Sequence, residues 1–571
     1  MRFLTLSAAG LMSVALAACG GGEPAKPVEP AAPVGPVGAV LTTSPDILGA
    51  DIAARVKELA DDKYEGRGPG TLAGEASAEW IASEMKRIGL QPGNPDGTYF
   101  QVVKMVAQTV DPATSSLKIT GPEGKAWDLK LGPDAVFITK DQKNTTVSFT
   151  DSDLVFVGYG VVAPEANWND YAGVDVKGKT VVMFVNDPGF VTNDAKLFNG
   201  KAMTYYGRWT YKFEEAARQG ATGAIIIHEE KPAAYGWNVV ESSWTGEQAD
   251  LVRADGGASR AKMEAWIQLS HATELFKAAG LDIDKMRTAA NKRGFKAVPM
   301  TGLKASATIN QTITEKDSRN VIGTVKGSEK PDEHILLMAH WDHLGKSTSD
   351  DPTADVINNG AVDNATGTAA ILEIAEKVAS GPAPKRSVTF LAVTLEESGL
   401  LGSGYFGENP LIPLKNIVAG INIDAMQPTS PAKDAVVIGA GASELEDLLK
   451  TVLTENNRVV TPDPHPENGY FYRSDHISLA KKGVPMLYVD SGVDLVNGGT
   501  EAGEAIGKEY TEKAYHSPAD EYADTWDMSG IEADVKVDYE IVNRLANSDQ
   551  WPNWYKGNEF KALRDAQRAA P

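Results

Sequence analysis

Residues 335–345 read Ile-Leu-Leu-Met-Ala-His-Trp-Asp-His-Leu-Gly, five apolar residues that end abruptly in His340, Asp342 and His343. A short apolar run without alternation is the pattern of a strand buried on both faces. The pattern recurs: residues 387–395 run into Glu396-Glu397, residues 417–423 run into Asp424, and residues 484–489 form a further apolar run. Between the first two lies a helical pattern, Ala365–Ala379, with Ile371, Ile374, Ala375 and Val378 on one face. Apolar strands alternating with helices predict an α/β fold with a mostly parallel mixed central sheet flanked by helices. Ligands in such sheets sit beyond the carboxyl ends of the strands, which is where these histidines and acids fall.

Upstream, amphipathic patterns predict helices from Ser44 to Leu59 and from Leu72 to Ile88, the second stopped by Gly89. The glycine-rich stretch between them, Tyr64-Glu65-Gly66-Arg67-Gly68-Pro69-Gly70, reads as a connector, since no Gly-Lys-Ser/Thr follows to make a phosphate loop. Strand patterns at 154–161, 179–185 and 224–227, with a helix at about 212–219, predict a β-rich insert at 150–270. This divides the folded chain into 45–149, the insert, a connecting segment at 271–319 and a main α/β domain at 320–571.

The net charge of −22 argues against nucleic acid as a partner. A single cysteine excludes an intrachain disulfide framework, a Cys-rich zinc module and an iron–sulfur cluster, so any metal must be held by His and carboxylates. That cysteine, Cys19, follows Leu16-Ala17-Ala18 at the end of a short apolar stretch, a sequence similar to the bacterial lipoprotein cleavage box. The expectation is a signal peptide at 1–18, lipid on Cys19 as the only membrane anchor, and a tether at 19–44 in which Pro24, Pro27, Pro30, Pro33 and Pro36 recur at the polyproline II period. Gly20 after the cysteine points to the outer membrane, at its periplasmic face or the cell surface.

Two imidazoles and three carboxylates suffice for two zinc ions sharing a bridge. The ordered motifs His340-Trp341-Asp342-His343-Leu344-Gly345, Asn359 to Gly367 (NGAVDNATG), Glu396 to Ser403 (EESGLLGS), Asn422-Ile423-Asp424 and Tyr515-His516-Ser517 resemble the M28 family of co-catalytic zinc aminopeptidases. The resemblance covers nearly all of 45–550, including the YEGRGPGT opening, and the insert resembles a protease-associated domain through KFEEAARQGATGAIII. It implies a zinc-peptidase fold and a metalloaminopeptidase with two zinc ions per chain. His340 and Asp424 would bind one zinc, Glu397 and His516 the other, and Asp363 would bridge. Glu396 would be the general base, Asp342 would accept a hydrogen bond from His340, and Tyr515 would donate one to the oxyanion. Arg473, beside Ser474-Asp475-His476, is a candidate substrate contact, and His343 reads as structural.

The substrates implied are peptides with a free N-terminus; no oligomeric state follows from the sequence. Three other activities share the resemblance. A glutaminyl cyclase needs only one zinc, and a non-catalytic relative is expected to have lost ligands or base. A carboxypeptidase for acidic dipeptides needs a basic pocket, which the sequence does not reveal. The lack of a Gly-x-Ser-x-Gly elbow argues against a serine hydrolase. His228-Glu229-Glu230 lacks the second histidine of a metalloprotease helix and reads as surface.

Overall fold

The computed structural model describes Gly35 and residues 37–569, apart from Thr348 and Asp350. The signal peptide, Cys19 and most of the tether therefore lie outside the described residues. Among those described, no helix is long and apolar enough to cross a membrane.

The strand Lys330–His340 lies at the centre of the main sheet, parallel to Arg386–Val393 on one side and to Ile417–Asn422 on the other. Met486–Ser491 continues the parallel set beyond Ile417–Asn422. Antiparallel pairs close both sides, Val298–Val325 against Arg386–Val393 and Asp434–Val437 against Met486–Ser491. The architecture is the mixed, mostly parallel α/β sheet that the apolar runs predict. Alternation within Lys330–His340 explains why both faces must be apolar. Ile335, Leu337 and Ala339 join a core with the helices Gly49–Leu59, Leu72–Ile88, Thr366–Ser380 and Ser529–Ala546. Leu336 and Met338 point the other way, into a core with Phe406, Ile477 and Trp554.

Leu72–Ile88 starts where its cap dictates, with Thr71 Oγ1 accepting from Gly74 N, and ends at Gly89 in the left-handed region. The first helix begins later than its sequence predicts, at Gly49. Ser44 N is held by the Asp51 carboxylate and Leu48 N by Glu373, so this entry segment bonds to side chains instead of starting a turn.

A second lobe is built on its own sheet, in which Thr146–Phe156, Thr180–Phe184, Gly223–His228 and Met263–Gln268 run parallel. Its extent differs from the predicted insert. The boundary at 150 falls inside Thr146–Phe156, and the lobe's core unites Leu117, Ile119, Leu129 and Phe137 with Leu154 and Phe156. The 271–319 segment is not a connector either: Leu275, Phe276, Ile283, Ala305 and Ile309 belong to the same core. Short half-exposed strands such as Ser116–Thr120 carry too little apolar signal to be assigned to a lobe from sequence. The two sheets share one strand, Val298–Val325, whose first half pairs with Thr146–Phe156 and whose second half pairs with Phe100–Val110 and Arg386–Val393.

Candidate active site

His340 is the last residue of the central strand, and its ring is buried. Its Nδ1 lies 3.2 Å from the backbone carbonyl of Asp342. A carbonyl can only accept, so Nδ1 carries the hydrogen and Nε2 presents its lone pair to the site. This corrects the expected partner. The Asp342 carboxylate is 3.9 Å from Nδ1, and its Oδ1 accepts from the backbone N of Glu396 at 3.1 Å instead.

His340 Nε2 faces two carboxylate oxygens, Asp363 Oδ1 and Asp424 Oδ1, each at 3.2 Å. His516 Nε2 faces two others, Asp363 Oδ2 at 3.3 Å and Glu397 Oε2 at 3.1 Å. Asp363 thus turns one oxygen to each imidazole. Each imidazole nitrogen has two carboxylate oxygens against it, an arrangement of lone pairs that repels itself unless a proton or a cation lies among them. In the bare chain protons serve. Burial would lower His340, but the Asp424 and Glu396 charges carry it well above the usual imidazole range. His516, likewise opposed by burial, is raised to about 10 by Glu397 and Asp363. A divalent cation at each point supplies the same compensation. Zinc bonds of about 2.0 Å in a tetrahedron put ligand atoms about 3.3 Å apart, close to the spacings found, so the donor set fits zinc.

Neighbouring groups hold these ligands in place. Ser474 Oγ donates to Asp424 Oδ2 at 2.6 Å. His343 Nδ1 lies 2.5 Å from Glu397 Oε1, which leaves Oε2 aimed at His516. His343 also forms a compact group of ligand-type atoms with Asp363 and Glu397, as Glu396 does with His340 and Asp424. Asp520 accepts from the backbone N of Val362 and Asp363 at 2.9 and 3.0 Å, fixing the bridging loop. Arg67 lies beneath that loop and donates to the carbonyls of Trp341, Leu59, Asn359, Gly360 and Asp363.

Burial raises the Glu396 carboxyl well above the usual range; His340 opposes this, and Glu397, Asp475 and Asp424 add to it. Tyr515 is 45% exposed and stacks on the His516 ring with centroids 3.9 Å apart. Arg473 lies farther out, its Nη2 donating to the Ala233 carbonyl of the second lobe at 3.2 Å. His228 is not on the surface: it is buried against Trp237 and Trp266, with Nε2 3.0 Å from the Tyr235 carbonyl.

The sequence reading missed Arg67, Asp520 and Ser474 as supports. A lone arginine among three glycines, next to a motif rich in backbone turns, was the available signal for the first.

Asn364 joins the bridging loop to the Asp424 loop, with Nδ2 donating to the Ile423 carbonyl at 3.0 Å and Oδ1 accepting from Gly367 N and Ala425 N. A Cβ on Gly367 would stand 2.3 Å from Asn364 Oδ1 and 2.5 Å from Ile423 O. Gly367→Ala is therefore expected to push both loops apart, destabilising the fold by about 1–3 kcal/mol and lowering zinc content. Thermal melts and metal analysis of the purified variant check both effects.

A Glutamate carboxypeptidase 2 homolog of Caenorhabditis elegans is 34% identical over 134 residues, 22% of this chain and 16% of that protein. A probable zinc metalloprotease of Pyrenophora teres f. teres is 38% identical over 114 residues, 20% of this chain and 23% of its own length. This chain thus matches less than a quarter of the length of either relative. Among solved structures, an aminopeptidase from Aneurinibacillus sp. strain AM-1 aligns over 88% of this chain and 95% of its own, at 17% identity and a TM-score of 0.49. The model of peptidase family M28 matches residues 320–535, a stretch that includes His340, Asp363, Glu396, Glu397, Asp424 and His516.

Proposed function

We propose that the chain is a zinc-dependent aminopeptidase that removes N-terminal residues from peptides with two zinc ions. The observation that carries this reading is the pair of imidazole nitrogens, each facing two carboxylate oxygens, with Asp363 shared between them. The match of residues 320–535 to a peptidase family supports it. Zinc, when bound, supplies a Lewis acid that polarises the scissile carbonyl and acidifies the attacking water.

The chain's own residues account for the proton movements. Glu396 sits beside His340 and Asp424, and each imidazole faces two other carboxylate oxygens. A carboxylate at this place suits a general base that takes a proton from water and returns it to the leaving amine. Asp342 fixes the Glu396 backbone, so the carboxylate is aimed from a rigid strand end. Tyr515 stands exposed beside His516, where its hydroxyl can donate to the oxyanion. In this reading the second lobe is a protease-associated domain, and lipid on Cys19 holds the enzyme at the outer membrane.

Mass spectrometry of products from mixed peptides, half of them N-terminally acetylated, tests the activity. Stepwise N-terminal loss from the free-amine peptides alone, abolished by a chelator and restored by zinc, is the expected result. Loss of C-terminal residues would establish a carboxypeptidase, and ammonia loss from N-terminal Gln a cyclase. No change in any peptide would leave a binding protein.

A further inference from the structure

In the second lobe the strand Thr146–Phe156 is paired along its length on one side only. Val298–Val325 runs beside it from Asn310 opposite Thr146 to Val298 opposite Phe156, whereas Thr180–Phe184 joins the other side only at Leu154. Among the described residues no strand pairs with the stretch before Leu154 on that second side. Along an antiparallel strand, successive residues turn their N–H and C=O alternately toward and away from the partner. Thr145 O accepts from Gln311 N of the partner strand, while Ser148 O faces the other way, with Lys262 Nζ 3.4 Å from it. The main-chain groups of Thr146 and Ser148 therefore point away from Val298–Val325 and form a free edge.

Residues 146–148 line a cleft of about 370 Å³, a volume within the range of ligand sites. Residues 257–262 and the turn at 141–144 supply the rest of its wall. Both segments are fixed by their own hydrogen bonds. The Asp255 carboxylate accepts from Gly257 N and Ser259 N, each at 2.9 Å, and Gly256 O accepts from Gln142 N at 2.9 Å. Gly257 has φ +82°, and a Cβ there would stand 1.9 Å from Lys140 O, so only glycine lets the two segments lie this close. Most of the charge around the cleft is already used. The Asp141 carboxylate accepts from Lys143 N, Asn144 N and Asn144 Nδ2, and Arg260 pairs with Glu264 at 3.1 Å. Lys262 is the exception: it is exposed, its ammonium reaches only the Ser148 carbonyl, and no carboxylate pairs with it among the described residues.

The cleft thus combines an open strand edge with one uncompensated cation. Main-chain donors and acceptors at strand spacing are matched by another extended main chain, whatever its side chains. A lysine beside the edge disfavours an apolar strand and favours an acidic one. We propose that this cleft is a docking site in which an extended acidic segment of a polypeptide adds as a strand along residues 146–148 and sets a carboxylate against Lys262. That the polypeptide is a substrate rests on the peptidase reading; recognition through the main chain suits an enzyme that meets many sequences. The chain's own proline-rich stretch does not match the edge, because Pro24, Pro27, Pro30 and Pro33 lack the N–H that strand pairing needs.

Calorimetry on the full chain with acetyl-Thr-Val-Glu-Val-Thr-amide tests the site, since the acetyl cap keeps this peptide from being an aminopeptidase substrate. Two analogues accompany it, one with Gln in place of Glu and one with methylated backbone nitrogens. The expected result is one-to-one binding that weakens at least tenfold with either analogue, and at least tenfold in Lys262→Gln and in Ser148→Pro. Proline at 148 removes an N–H that no neighbouring strand uses, and edge strands tolerate it; a thermal melt checks the fold, and Lys262→Gln decides alone if that variant unfolds. No binding, or binding indifferent to N-methylation or to Lys262→Gln, overturns the site. A wild-type dimer in sedimentation that Ser148→Pro dissociates gives the edge to a second copy and overturns the peptide as its occupant. Kinetics then test the substrate. For a long acidic polypeptide, kcat/KM is expected to fall at least tenfold in both variants while that for Ala-Ala stays unchanged, and an equal rate on the long chain overturns its identification as the occupant. If the wild type cleaves no peptide, the peptidase reading fails, and calorimetry still decides the docking site.

Discussion

Glu396→Gln is expected to lower kcat by roughly 10^3-fold, within the range attributed to a positioned general base, while zinc content stays at the wild-type level. Glutamine keeps the shape and the hydrogen-bonding reach but cannot accept a proton. The backbone of residue 396 remains fixed by Asp342, and the His340–Asp363–Asp424 and His516–Asp363–Glu397 sets remain complete. Steady-state kinetics on a cleaved peptide, run beside metal analysis of the same preparation, check the prediction. Near-normal turnover would remove Glu396 from the mechanism, and lost zinc would make it a ligand.

Arg67→Ala is expected to give the largest loss of stability, about 4 kcal/mol, through orphaned carbonyls and a lost buried charge. Its Nε donates to Trp341 O at 2.7 Å, and Nη2 donates to Gly360 O at 2.8 Å. Further bonds reach Leu59, Asn359 and Asp363. Burial lowers this arginine to about 10, and the charges of Asp520, Asp363, Asp342 and Glu397 favour its protonated form. Removing it frees the loop that presents Asp363, so zinc affinity falls together with stability. Arg67→Lys is expected to recover little of either, because an ammonium cannot span the separated carbonyls. Urea unfolding of the metal-free variants and zinc titration of the folded ones separate the two effects.

The main sheet was legible because its strands are buried on both faces, so Ile335–Ala339 reads as one unbroken apolar run that stops at a histidine. The helix Leu72–Ile88 was legible because Thr71 and Gly89 mark its ends. The limits of the second lobe were not, since strands such as Ser116–Thr120 bury only alternate residues and leave no local mark of the sheet they join. Within the site, the residues that face the two candidate metal positions lie in recognisable motifs. Their supports do not: Arg67 reads as part of a turn. Such roles come from long-range contacts, which neither spacing nor composition encodes. The hydrogen bond expected between His340 and the Asp342 side chain is made to that residue's carbonyl, a distinction between atoms of one residue that no sequence pattern expresses.

The continuous strand Val298–Val325 has a consequence for cooperativity. Its N-terminal half completes one sheet and its C-terminal half is hydrogen-bonded into the other. Peeling it from either side removes an edge that the other side also depends on, so each lobe's unfolding free energy contains a contribution from its neighbour. The two lobes are thus thermodynamic partners, and a mutation deep in one is expected to lower amide-exchange protection in the other.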